Sequence, residues 1–97
     1  MENKYIAEIR EFVTKYFKDD KVKIFLFGSR ARKDNHTSSD IDIGIVPYGE
    51  VDEKKITLLR EQIENLNTPY RIEIVNFLEV SEDFKREALK EATIWKD

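Results

Sequence analysis

Ile6, Ile9, Val13 and the Tyr16/Phe17 pair fall three or four positions apart, so the stretch from Asn3 to Lys18 predicts an amphipathic helix with one apolar stripe. Asp19-Asp20 ends it. From Val22 to Phe27 five of six residues are apolar, mostly β-branched or aromatic, which is the pattern of a buried strand. Gly28-Ser29 punctuates that strand. Arg30-Ala31-Arg32-Lys33 has room for one or two helical turns, and Asp34 to Ser39 reads as polar loop. At Asp40 the pattern becomes strict alternation. Ile41, Ile43 and Ile45 fall on one face and Asp40, Asp42 and Gly44 on the other, a second strand ended by Pro47 and Gly49. Asp52 then stands where a helix N-cap would, ahead of Ile56, Leu59, Ile63 and Leu66 at helical spacing. Asn67-Thr68-Pro69 stops that helix. Tyr70 to Phe77 predicts a third strand. Ser81, followed by Glu82 and Asp83, is a second N-cap with acidic residues suited to the helix dipole. Phe84, Ala88, Glu91/Ala92 and Trp95 then predict a last helix running to the final residues.

The order is thus α-β-(α)-β-α-β-α. The second and third strands are joined by a full helical crossover, which suits a parallel pair. The first and second are joined by about a dozen residues of little apolar content, which suits an antiparallel one. The expectation is an α/β (α+β) fold: a small, mixed, three-stranded sheet flanked by helices. No repeat, linker or low-complexity tract divides residues 1–97, so one domain is expected.

Composition narrows the function classes. Lys+Arg is 17 against Asp+Glu 20, a net charge of −3, which argues against binding nucleic acid through bulk charge. With no cysteine, disulfides and thiolate zinc sites are excluded, in keeping with a cytoplasmic protein. The longest apolar run, Ile24 to Phe27, is four residues, far short of the ~20 that span a bilayer. Met1-Glu2-Asn3-Lys4 lacks the layout of a signal peptide.

The polar residues gain meaning from the strand layout. Gly28-Ser29 closes the first strand, and Asp40 and Asp42 open the second. If those strands are antiparallel, both features share one edge of the sheet. Glu73, on a third strand parallel to the second, falls near the same edge beside Asp42, with Arg71 and Val75 on its own face. Two aspartates side by side on an isoleucine-rich strand repel each other and are costly to desolvate. A divalent cation is the economical remedy. Mg²⁺ takes one or two carboxylates plus phosphate oxygens and keeps water for the rest. Gly28 and Ser29 offer backbone N–H groups and a hydroxyl to a phosphate, and Arg30 and Arg32 add positive charge. Taken singly, each feature has an ordinary reading. Asp-x-Asp can be plain alternation, Gly-Ser a turn, Glu73 the wet side of an edge strand, and Arg30, Arg32 and Lys33 a solvated helical face. His36 sits in a polar loop, and Trp95 reads as core or interface. Their convergence at one edge is what points to Mg-nucleoside triphosphate chemistry.

Gly28-Ser29-Arg30-Ala31-Arg32 through Ser39-Asp40-Ile41-Asp42 resembles the signature of the DNA polymerase β-like nucleotidyltransferases: Gly-Ser, a ten-residue gap, then Asp-x-Asp. The fuller run GSRARKDNHTSSDIDIGIV is similar to the minimal nucleotidyltransferase (MNT) domains, and the likeness covers nearly the whole chain. The resemblance implies transfer of a nucleoside monophosphate from an NTP, with Mg²⁺ held by Asp40 and Asp42. It also implies a third carboxylate in an apolar-acid-apolar strand, and Arg71-Ile72-Glu73-Ile74-Val75 occupies that place. Here the acid is Glu73 instead of the usual Asp, and Lys33 stands where Gly is frequent. The longer side chain moves the carboxylate by about 1 Å, a displacement on the scale that can cost ~100-fold in rate. The implied substrate is ATP and the implied partner a small helical HEPN-type toxin, which the MNT protein would counter as antitoxin by placing AMP on a tyrosine. The implied roles are Asp40, Asp42 and Glu73 as metal-holding and catalytic residues, and Gly28, Ser29, Arg30 and Arg32 as nucleotide-binding ones. The alternative is a catalytically weak nucleotide-binding antitoxin that neutralises its partner by contact. Transfer to a small molecule such as an aminoglycoside usually involves further domains. With one domain expected, the acceptor must come from a partner surface or from a second copy of the chain.

Overall fold

The computed structural model describes residues 3–28 and 40–97. Its elements are α1 (Lys4–Tyr16), β1 (Val22–Phe27), β2 (Asp40–Pro47), α2 (Glu53–Glu64), β3 (Arg71–Asn76), α3 (Glu82–Lys90) and β4 (Thr93–Lys96). They build one mixed sheet of order β3-β2-β1-β4. β2 is antiparallel to β1 and parallel to β3, as the connection lengths require. Each helix begins at a side-chain cap. Asn3 Oδ1 accepts from the Ile6 N–H at 2.9 Å, Asp52 Oδ1 from Lys54 at 2.9 Å and Ser81 Oγ from Phe84 at 3.1 Å.

The period-two pattern of the strands sorts the core into two layers. Ile24 and Leu26 of β1, Ile41, Ile43 and Ile45 of β2 and Ile74 of β3 pack on the stripes of α1 and α2: Ile6, Ile9 and Val13, then Ile56, Leu59 and Ile63. The opposite face holds Phe25, Phe27, Val46 and Phe77, with Ala88 and Leu89 of α3 against them. Gly44 lies on this second face. A β-carbon there would run into the rings of both Phe25 and Phe77, so the glycine lets those rings close over β2. The same face of β2 carries Asp40 and Asp42 further toward its start.

The α/β class and helix-flanked mixed sheet are as the sequence predicts, but the sheet has four strands where three were expected. The expected last helix stops at Lys90, and Thr93–Lys96 turns back as β4, antiparallel to β1. The physical reason is local and tertiary together. Thr93, Ile94 and Trp95 are β-branched or aromatic, and the free edge of β1 offers hydrogen-bonding partners that a frayed helix end lacks. Trp95 packs against the α1/α2 layer. The turns considered for Arg30 to Lys33 lie outside the described residues.

Candidate active site

Strand register assembles the site. Asp42 of β2 is paired with Phe27 on one side and with Glu73 on the other, while Asp40 is paired with Arg71. Asp40, Asp42 and Glu73 therefore share a face at one end of the sheet, just beyond the aromatic rings that fill it. Asp42 is half-buried, and Asp40 and Glu73 are exposed. Burial, then the charge of Glu73, then that of Asp40 hold the Asp42 carboxyl above the usual carboxylate range.

β1 is followed by Gly28, whose φ of +79° lies in the left-handed region open to glycine. This turn brings the backbone against the carboxylate: a β-carbon on Gly28 would stand 2.5 Å from Asp42 Oδ2. Gly28, first residue of the Gly-Ser pair, thus meets the Asp-x-Asp strand at Asp42. Ser29, Arg30 and Arg32, the other expected nucleotide-binding residues, lie outside the described residues, as do Lys33 and His36.

The donor set fits a hard cation. Among the described residues no group of three or more His, Cys, Asp or Glu side chains is gathered to hold a metal by itself. Mg²⁺ requires no such cage: one or two carboxylates with phosphate and water complete its octahedron. Asp40 and Asp42, whose mutual repulsion is part of what lifts the Asp42 carboxyl, are two carboxylates on one face and fit such a requirement.

The polymerase beta nucleotidyltransferase domain matches residues 8–96. The chain belongs to that nucleotidyltransferase family. No curated protein sequence matches it. Among solved structures, this nucleotidyltransferase is similar to a toxin–antitoxin structure with AMP-PNP at a TM-score of 0.66 and 20% identity, covering 89% of this chain and 71% of the other. It is also similar to a mutant of the toxin–antitoxin MntA–HpeT at a TM-score of 0.66 and 18% identity, with 89% and 70% covered. A third is a Shewanella oneidensis complex of tri-AMPylated HEPN toxin with MNT antitoxin, at a TM-score of 0.62 and 17% identity, with 92% and 70% covered. At these identities the likeness is one of fold.

Sequence reasoning missed two aromatic residues near the site. Phe27 is paired with Asp42, and Phe84 of α3 packs 6.1 Å from Phe27, ring centre to ring centre. Phe84 is 47% exposed although it belongs to the apolar stripe of its helix. The alternation of β1 placed Phe27 on the aspartate face from the start. Only the path of α3 across the sheet puts Phe84 beside it.

Proposed function

We propose that the chain acts in the cytoplasm as one minimal nucleotidyltransferase domain. It moves AMP from ATP to a hydroxyl, the tyrosine of a HEPN-type toxin for which it is the antitoxin. The observation that carries the reading is the Gly28–Asp42 contact, with Asp40 and Glu73 on the same face. Family membership supports the reaction class, and the likeness to toxin–antitoxin structures, one with AMP-PNP and one with an AMPylated HEPN toxin, supports the nucleotide and the partner.

In this reading Asp40 and Asp42 hold Mg²⁺, and Glu73 serves as a further ligand or as base. The ion supplies neutralisation of triphosphate charge when bound. The Gly28 and Ser29 turn holds the β- and γ-phosphates, helped by Arg30 or Arg32. Glu73 takes the proton from the acceptor hydroxyl, whose oxygen forms a bond to the α-phosphorus as the bond to the bridging oxygen breaks and pyrophosphate leaves. Glu73 in place of Asp also keeps open the second reading, a protein that neutralises its partner by contact.

Incubation with labelled ATP, Mg²⁺ and a HEPN-type partner tests the choice. Label on a partner tyrosine, lost in Asp42→Asn, supports transfer. Neutralisation of the toxin with no label on it supports the contact reading.

A further inference from the structure

A cleft of about 360 Å³ opens between the end of β1 and α3. Phe27, Phe84 and Ala88 give it an apolar lining. Glu87, Lys90 and Glu91 contribute charged groups, and Gly28 joins it to the carboxylate site. Lys90 Nζ donates to Glu87 Oε1 at 2.9 Å, so the cation is already engaged by a carboxylate. We infer that this cleft receives the nucleobase of the substrate, a purine carrying an amino group at C6, with its ring against Phe84. The inference rests on the nucleotidyltransferase reading above and deepens it.

Three observations select this occupant. In-line displacement sets the acceptor oxygen opposite the departing pyrophosphate. With pyrophosphate over the Gly28 turn, the acceptor lies toward Glu73 on β3. The cleft lies at the β1 end, and β2 stands between it and β3, because the sheet order is β3-β2-β1-β4. The cleft therefore lies on the nucleotide's own side and not on the acceptor's. Next, the lysine that lines the cleft is already held by Glu87, so it offers a phosphate little attraction, which leaves the uncharged part of the nucleotide. Finally, the exposed ring of Phe84 is held by Phe27 at 6.1 Å and Phe77 at 5.7 Å, a braced apolar surface of the kind on which bases stack. Glu87 and Glu91 accept hydrogen bonds. The C6 amino group of adenine donates one, whereas the C6 oxygen of hypoxanthine meets the same carboxylates as an acceptor.

The test is calorimetry in Mg²⁺ with ATP, ITP and inorganic tripolyphosphate, on the full chain and on Phe84→Ala and Phe84→Leu. The leucine variant keeps apolar packing and removes the ring. Expected results are ATP binding ~10-fold tighter than ITP in the parent. Both variants should lose roughly 5- to 100-fold in ATP affinity. Their tripolyphosphate binding should be unchanged, which also reports an intact fold. If both variants bind ATP as the parent does, or if the parent binds ITP as tightly as ATP, the inference is overturned while the triphosphate site stands. If the parent binds neither ATP nor tripolyphosphate, the nucleotidyltransferase reading fails and the base site falls with it.

Discussion

Gly28 and Asp42 leave no room for a methyl group between them: the position a β-carbon would take on Gly28 is 2.5 Å from Asp42 Oδ2. The glycine is thus required twice, once by a φ of +79° and once by the carboxylate it abuts. Gly28→Ala is expected to cost about 1–2 kcal/mol from backbone conformation alone. The carboxylate can swing aside, so the larger loss should fall on Mg²⁺-dependent ATP binding. Thermal melts beside calorimetry check this. A variant with a lowered melting temperature and unchanged ATP affinity would show that the contact is structural only.

Asp42→Asn is expected to melt a few degrees higher than the parent at pH 7 in EDTA. Asp42 is held above the usual carboxylate range in the folded chain, chiefly by burial. The unfolded chain therefore ionises there first as pH rises. The stabilising contribution is whole below the ordinary aspartate value of about 3.9 and is lost as pH climbs through the raised one. The advantage of the variant should accordingly close near pH 3. Added Mg²⁺ should raise the melting temperature of the parent and not of the variant. Equal melting temperatures at pH 7 in EDTA would contradict the argument from burial and repulsion together.

Glu73 is paired with Asp42 across two parallel strands yet remains exposed, which suits a group that meets an acceptor. Glu73→Gln should abolish AMP transfer while leaving ATP binding largely intact, because a base acts in the transition state. Glu73→Asp should retain or raise the rate, since it restores the shorter acid usual in the family. Transfer rates of all three proteins decide it. Rates equal to the parent in both variants would remove Glu73 from the chemistry. A silent parent with an active Glu73→Asp would favour the contact reading.

At the far end of the sheet, Tyr16 joins α1 to α2. Its hydroxyl donates to the Lys55 carbonyl at 2.7 Å, and Lys55 Nζ, which pairs with Asp20, lies 5.3 Å from the Tyr16 ring centre. Tyr16→Phe should cost about 1 kcal/mol at pH 7, or roughly 4–8 °C in melting temperature. Burial raises the Tyr16 hydroxyl above its usual 10.0, with Asp20 adding to the rise and Lys55 opposing it. A raised group stabilises fully below its unfolded value and loses that contribution as pH climbs through the folded one. The difference between parent and variant should therefore shrink in strongly alkaline buffer. A gap that stays constant with pH would mean that the hydroxyl contributes nothing through its proton.

The sequence by itself determined the layers and the face that the carboxylates share. Alternation in β2 fixed Asp40 and Asp42 on one face, because successive side chains on a strand point opposite ways. The stripes of α1 and α2 fixed what covers the other face, and Asp52 and Ser81 announced their helices as caps. Crossover length fixed β3 parallel to β2, which set Glu73 near the edge that carries Asp42. The tertiary structure decided what depends on residues distant in the chain. Thr93–Lys96 fits a helical stripe or a strand equally well, and the unpaired edge of β1 made it β4. Phe84 reads as an ordinary stripe position, and α3 crossing the second face left it exposed beside Phe27. The raised carboxyl of Asp42 and its contact with Gly28 likewise come from register, since burial and through-space repulsion exist only once β1, β2 and β3 lie side by side.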